Sequence, residues 1–357
     1  MRNFKIGKTT IGEDEPTYFI ADIAANHDGS LERAIELIKR CAEAGANAAK
    51  FQNFKAETIV SDLGFKSLKR KQSHQSNWKK SIYEVYDEAS ISLEWTHKLK
   101  KACDDAGIEY FTAPYDLAVL DHLDSFVAAW KIGSGDITWH ELIDLLSRKE
   151  KPVLIASGAS NMNDVKNAMD ILSKNKKEIV LMQCNTNYTG SLENFRFINL
   201  SVLKSFKKEF PNTVLGLSDH TPGHTTVLGA ISLGARVIEK HFTDDNLREG
   251  PDHKFSMDPT SWSEMVRRSR ELELALGNGI KVVEDNELET VILQRRALRT
   301  NKDLKSGSII DSGNVIPLRP CPNDGLEPKM FPLINKKIIK KDIKKGDLIK
   351  LEDLSDN

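Results

Sequence analysis

Gly216-Leu217-Ser218-Asp219-His220, followed by Val237-Ile238-Glu239-Lys240-His241-Phe242-Thr243, is the stretch that decides how this chain is read. Each half is a short apolar run that ends in polar residues, and runs of that length read as buried strands. With segment 225–233 as a crossover helix, the two runs form a strand–helix–strand unit of one parallel sheet. The two histidines, 21 residues apart, then emerge side by side at the same sheet end. Two neighbouring neutral imidazoles can hold one divalent metal. A single strand-end histidine is more often a hydrogen-bonded structural residue. A pair at this spacing, flanked by Ser218, Asp219, Glu239 and Lys240 and followed by Gly250-Pro251-Asp252-His253, reads as a site.

The same alternation extends outward over most of the chain. Short apolar runs at 18–21, 48–51, 109–113, 128–132, 152–156, 179–184, 214–217 and 237–240 are each followed by a stretch of helical periodicity. Eight such units over roughly 250 residues predict an α/β protein with a (β/α)₈ barrel; an open doubly wound sheet is the alternative. In a barrel, chemistry sits at the C-terminal strand ends. Those ends carry Asp22, Asn26 and His27; Lys50 and Gln52; Thr112 and Tyr115; Lys131, Ser134 and Asp136; Ser157; Asn185, Asn187 and Tyr188; Ser218 and His220; Glu239 and His241.

Composition narrows the function classes. The 357 residues carry a net charge of −1, which gives no electrostatic case for nucleic acid or a membrane surface as partner. No apolar run approaches the length of a membrane span. Met1-Arg2-Asn3-Phe4-Lys5 lacks the apolar core of a signal peptide, so a cytoplasmic location is the expectation. Cys41, Cys103, Cys184 and Cys321 form no Cys-x-x-Cys pair, which argues against a disulfide framework or a structural zinc site. Cys184 ends a strand and could look into a site, although a buried inert thiol is the commoner case.

Two regions fall outside the alternation. The 55–90 insertion is too long for an ordinary strand–helix loop and reads as a lid, a packing excursion or an interface element. Its basic cluster, Lys66 to Gln75, reads as a solvated face, with a phosphate-attracting loop as the minority reading. Beyond a barrel over 1–283, a linker helix is expected at 284–299 and a small β-rich domain over 300–357. There Asp303-Leu304-Lys305-Ser306-Gly307 recurs as Asp342-Ile343-Lys344-Lys345-Gly346, which predicts two similar halves.

At the rim, Lys50 and Lys131 are point charges suited to a phosphate or carboxylate. Ser134 in Gly133-Ser134-Gly135, and Ser218 after Gly216, add donors of the kind that cradle phosphate oxygens. A lysine–acid network with Asp22, Asp136 and Glu239 that serves structure alone is the competing reading; acids there could also orient the histidines.

Nearly the entire chain resembles the sialic acid synthase family, the N-acetylneuraminate synthase-like enzymes. The resemblance runs from Phe19-Ile20-Ala21-Asp22-Ile23-Ala24-Ala25-Asn26-His27-Asp28-Gly29 through Ala49-Lys50-Phe51-Gln52, Lys131-Ile132-Gly133-Ser134-Gly135, Tyr188, the two histidine motifs and Gly250-Pro251-Asp252. The terminal domain resembles the antifreeze-like (SAF, β-clip) module of that family, with Arg319 in Leu318-Arg319-Pro320. The resemblance implies condensation of phosphoenolpyruvate with an open-chain N-acetylmannosamine-type amino sugar, giving a nine-carbon 2-keto sugar acid and phosphate with C–O cleavage. It implies a divalent metal on His220 and His241, manganese by family habit, with magnesium or cobalt as substitutes. It implies Lys50, Lys131, Ser134 and Ser218 for phosphoenolpyruvate, and Gln52, Tyr188, Asp252 and Arg319 for the sugar. Asp22 and Glu239 join the two histidines as the implied catalytic groups. A domain-swapped homodimer, in which Arg319 enters the neighbouring barrel, is also implied.

Three positions depart from the family pattern. Asp22 stands for a glutamate, Ala113 for a threonine beside Thr112, and Ala156 for a serine, so the phosphate cradle is expected to be thinner. The sugar stays open between N-acetylmannosamine, its 6-phosphate and the diacetamido-trideoxy hexoses of legionaminate and pseudaminate synthesis. A different barrel chemistry on the same site, and a sugar-binding barrel that has lost catalysis, are the other readings.

Overall fold

The computed structural model describes residues 3–68 and 78–356. The chain divides into two units, Met1–Gly277 and Asn278–Asn357. The division falls at the left-handed Gly277 that stops helix Pro259–Leu276, a few residues before the boundary expected at 283.

In the first unit eight parallel strands close into a barrel, as the alternation predicts. They are β1 (Tyr18–Asp22), β2 (Ala48–Asn53), β3 (Glu109–Pro114), β4 (Trp130–Ile132), β5 (Val153–Ala156), β6 (Ile179–Cys184), β7 (Val214–Asp219) and β8 (Ala235–His241). The strand period of two sorts their side chains. Tyr18, Ile20, Ala48, Phe111, Leu154, Val180, Met182, Val214 and Val237 form one apolar cluster, the filled barrel interior. Phe19, Ala21, Ala49, Phe51, Ile155, Leu181, Leu217 and Ile238 form another, packed against the surrounding helices. Helix Leu31–Glu43 shows the match: Ser30 caps it by accepting from the Arg33 amide, and Ala34, Leu37, Ile38 and Cys41 face inward at helical spacing.

An antiparallel hairpin, Phe4–Ile6 with Thr9–Ile11, precedes β1. Its Ile6 and Ile11 are fully buried in the interior cluster, so the hairpin plugs the barrel at the end away from the polar strand termini.

Part of the insertion forms helices Ala56–Ile59, Asp62–Ser67 and Ile82–Ala89, which share an apolar cluster of Ala56, Val60 and Ile82 with Ile59, Trp78 and Tyr86. Residues 69–77, most of the basic cluster, lie outside the described residues.

The second unit has its own core of Leu298, Leu304, Ile310, Leu326, Ile334, Ile339, Ile343, Ile349 and Leu354. The expected linker helix at 284–299 is shorter, spanning Leu288–Gln294 after one 3₁₀ turn. Ala297–Thr300 is instead a strand paired with Val315–Leu318, because Ala297 and Leu298 are drawn into that unit's interior. The repeated segments face one another. Leu304 and Ile343 exchange both backbone hydrogen bonds, at 2.8 and 2.9 Å. Lys305 pairs with Asp342 at 2.6 Å and Lys344 with Asp303 at 3.1 Å. Gly307 and Gly346 take matching left-handed conformations, φ 84° and 89°.

Candidate active site

Register places the charged groups in rows across the strand ends. His241 on β8 lies opposite Asp22 on β1, and Asp22 lies opposite Lys50 on β2. Asp22 Oδ2 accepts from Lys50 Nζ at 2.6 Å and stands 3.5 Å from His241 Nε2. One inward position deeper, Glu239 Oε1 lies 3.2 Å from Lys131 Nζ, 3.7 Å from Lys50 Nζ and 3.3 Å from Ser218 Oγ. All of these side chains are buried.

Packed this closely, Glu239 and Lys50 are held ionised against the cost of burial. Burial pushes the Glu239 carboxyl up, but Lys131 and Lys50 outweigh it and hold the group down at about 2. Burial works against the Lys50 ammonium too, and Asp22 and Glu239 reverse it, leaving Lys50 raised. Asp22 differs: burial raises it, and Glu239 adds repulsion that Lys50 only partly offsets. A carboxyl raised in this way, with Oδ1 buried and lacking a partner, is suited to taking a proton.

The ring centroids of His220 and His241 lie 5.4 Å apart. His220 Nδ1 donates to the Asn185 carbonyl at 2.9 Å, so its Nε2 carries the lone pair. His241 Nδ1 is buried without a hydrogen-bond partner, 3.8 Å from Asp252 Oδ2. Burial holds both imidazoles neutral, His220 at about 3 and His241 at about 4. Neutral, adjacent and with His220 oriented by its Nδ1 hydrogen bond, the pair has the donor chemistry to hold a divalent ion. Among the described residues no group of three or more histidines, cysteines and carboxylates is arranged to hold a metal, so this pair leaves most coordination positions open.

These groups line one cavity of about 400 Å³ with Gln52, Ser134, Ser218, Tyr188 and Asp252. Of the sequence-predicted site residues, only Arg319 belongs to the other unit, where it follows strand Val315–Leu318 and its Nε donates to the Gln294 carbonyl at 2.6 Å. Ser134 Oγ accepts from the Gly158 amide at 3.0 Å. Gly133 must lack a side chain here, since a Cβ would stand 2.7 Å from the Tyr115 hydroxyl. Strand phase explains what is missing from the anion cradle. Ala113 and Ala156 occupy inward positions, whereas Thr112 points outward and donates to Asn53 Oδ1 at 2.6 Å. Ser157 donates to the Met182 carbonyl and lines a separate cavity with Asn185 and Asn187. Cys184 reaches the catalytic cavity, but burial pushes its thiol up to about 11, so it is not a ready nucleophile.

Sequence reasoning missed the far wall. Phe54, Ile59, Trp78, Val85, Tyr86 and Ala89 line it from the insertion. Phe255 stacks edge-on against His241 with centroids 4.8 Å apart.

This barrel, with its paired imidazoles and lysine–acid ring, defines a polar, metal-competent cavity of the kind found in barrel enzymes that handle anionic substrates. Residues 37–281 match the NeuB family model, and the chain belongs to that family. It is 31% identical to the N,N'-diacetyllegionaminic acid synthase of Campylobacter jejuni, covering 94% of this chain and 99% of that one. It is 32% identical to the pseudaminic acid synthase of the same organism, covering 95% and 97%. The crystal structure of the N-acetylneuraminic acid synthetase of Leptospira borgpetersenii superposes with a TM-score of 0.71 at 26% identity, over 81% of this chain and 95% of that one.

Proposed function

We propose that the chain is a nonulosonic acid synthase that condenses phosphoenolpyruvate with an open-chain N-acetylated amino sugar, giving a nine-carbon 2-keto acid and phosphate. The observation that carries this reading is the Lys50–Asp22 and Lys131–Glu239 ring facing the His220–His241 pair across one cavity.

In this reaction the phosphoenolpyruvate methylene carbon attacks the sugar aldehyde, forming the new C–C bond. Water adds at C2, the C–O bond to phosphate breaks, and the 2-keto group forms. Lys50 and Lys131 bind the phosphoenolpyruvate anion with the hydroxyls of Ser134 and Ser218. Glu239 holds both ammonium groups in place, at 3.7 Å from Lys50 and 3.2 Å from Lys131. Asp22 takes the proton of the attacking water, and Lys50 orients it. His220 and His241 would hold a divalent ion, manganese by preference with magnesium or cobalt as substitutes, which when bound would supply Lewis-acid polarisation of the aldehyde. Gln52, Tyr188 and Asp252 orient the sugar. Arg319 acts from a second copy in a domain-swapped homodimer, a reading tested by sedimentation and by the sugar KM of Arg319→Ala.

Among the amino sugars, an uncharged one is favoured over a 6-phosphate, because Lys50 and Lys131 already face Asp22 and Glu239 and, among the described residues, the remaining charged lining is acidic, Asp136 and Asp252. The apolar wall of Phe54, Ile59 and Val85 suits the methyl end of a diacetamido-trideoxy hexose, so legionaminate or pseudaminate synthesis is the second reading. The test is phosphate release from phosphoenolpyruvate with Mn²⁺ and each candidate sugar. Release that depends on one sugar supports the synthase. Sugar-independent release points to a hydrolase, and no release with any sugar, despite binding, points to a barrel that has lost catalysis.

A further inference from the structure

The Asn26-His27-Asp28-Gly29 motif after β1 supplies no group to the proposed chemistry, yet it makes a dense set of contacts with the segment after β8. Asp28 Oδ1 accepts from His253 Nε2 at 2.9 Å, which leaves His253 Nδ1 to accept from the Thr243 hydroxyl at 2.7 Å. Asp28 Oδ2 accepts from Arg248 at 2.7 and 3.0 Å and lies 3.1 Å from Arg33 Nε. Arg33 in turn grips Asp244 through two bonds, at 2.9 and 2.5 Å. Asn26 Nδ2 donates to the Phe242 carbonyl at 2.8 Å and to Ser256 Oγ at 2.9 Å. Segment 243–256 is thus fastened at both ends and at its middle.

This fastening is sterically specific. Asp28 holds a left-handed φ of 50°, a conformation that asparagine and aspartate tolerate better than other side chains. Gly250 admits the His253 ring, because a Cβ there would lie 2.6 Å from it. His253, Thr243 and Asn26 are fully buried, whereas Leu247 between them stands 91% exposed. The held segment delivers Asp252 to the cavity, where its Oδ2 also accepts from the Ala25 amide at 3.2 Å, and packs the buried Phe255 ring behind it on His241, which lines the cavity.

We propose that Asp28 is a positioning residue, the centre of a latch between the loops after β1 and β8 that sets Asp252 and Phe255 and so governs affinity for the sugar rather than for phosphoenolpyruvate. The substrate half of this inference rests on the synthase reading; the mechanical half does not. The loop after the last strand reaches the loop after the first because the barrel closes there, so the latch ties the sugar-facing wall to the seam of the fold.

The test uses the full-length, Mn²⁺-loaded protein with Asp28→Asn, which keeps the left-handed backbone accessible and removes the charge. The sugar KM is expected to rise about tenfold or more, with the phosphoenolpyruvate KM and thermal midpoint near wild type. Tryptic cleavage after Arg248 and Lys254 is expected to accelerate, since cleavage there reports local opening. Arg248→Ala, a change at a half-exposed residue, should show the same trend with cleavage after Lys254. If wild-type protein shows no synthase turnover, the synthase reading fails, and faster cleavage at an unchanged midpoint still supports the latch. Unchanged cleavage in both variants overturns the latch. Both substrate KM values rising together with a falling midpoint overturn it as well, since that is the mark of general destabilisation.

Discussion

Asp22 and His241 face each other across the β1–β8 pairing, carboxylate Oδ2 to ring Nε2 at 3.5 Å, although they stand far apart in the sequence. This contact joins the proposed proton-handling half of the cavity, Asp22 with Lys50, to its metal-competent half, His241 with His220.

Replacing Asp22 by Asn removes the base and keeps an acceptor for Lys50. The expected outcome is a fall in kcat of about 10²–10⁴ with the Mn²⁺-induced thermal shift retained. Near-normal turnover would remove Asp22 from the mechanism.

For the metal, chelation is expected to abolish phosphate release and re-addition of Mn²⁺ to restore it. By mass action, Mn²⁺ at about 100 times its Kd stabilises the wild-type protein by about 2.7 kcal/mol. His220→Ala and His241→Ala should each lose that stabilisation in differential scanning fluorimetry. A shift that survives both changes places the ion elsewhere.

Lys131→Met deprives Glu239 of its nearer cation and leaves Lys50 at 3.7 Å as its remaining ammonium contact. Breaking a buried pair on one side costs about 3 kcal/mol, read by urea denaturation at pH 7. Adding Glu239→Gln to Lys131→Met should recover part of that loss, because no buried charge is then stranded. Strictly additive losses would argue against direct coupling.

Asp136 gives a pH dependence of known sign. Burial raises its carboxyl to about 6, with Lys131 pulling the other way. Between its ordinary value and pH 6 the folded chain therefore holds a proton that the unfolded chain has released, and stability falls as pH rises through that window. Asp136→Asn should stabilise the fold at pH 7.5 by roughly 1–2 kcal/mol after allowing for its partial exposure, read as a higher thermal midpoint, and change stability little at pH 4. An equal effect at both pH values would contradict this.

Much of the cavity rim was legible because a strand end is marked by where an apolar run stops, and the barrel then fixes which ends share a rim. That rule put Lys50, Lys131, Ser218, Glu239 and His241 at one barrel end, where they line one cavity. The rule is blind to phase by one residue: Thr112 and Ala113 sit at the same strand end, and only the pleat decides that the alanine faces in. It is blind as well to walls supplied from outside the barrel. Trp78 and Tyr86 lie in an insertion that reads as a lid, a packing excursion or an interface element, with nothing local to say which surface it covers. Two of the partners of Asp28, Arg248 and His253, lie more than 200 residues away, beyond the reach of any local pattern. In the second unit, the repeated Asp-x-Lys-x-Gly segments announced two halves, while helical periodicity ran past the point where Ala297 and Leu298 turn into a strand.

The β1–β8 seam has a consequence for how the protein comes into being. Asp22 is made early by the ribosome and His241 late, and their strands pair only when the ring closes, one of the longest-range contacts the barrel makes and therefore slow to form. No half-barrel carries the site. Chains arrested short of closure carry these side chains without the pairing that brings Asp22 to His241.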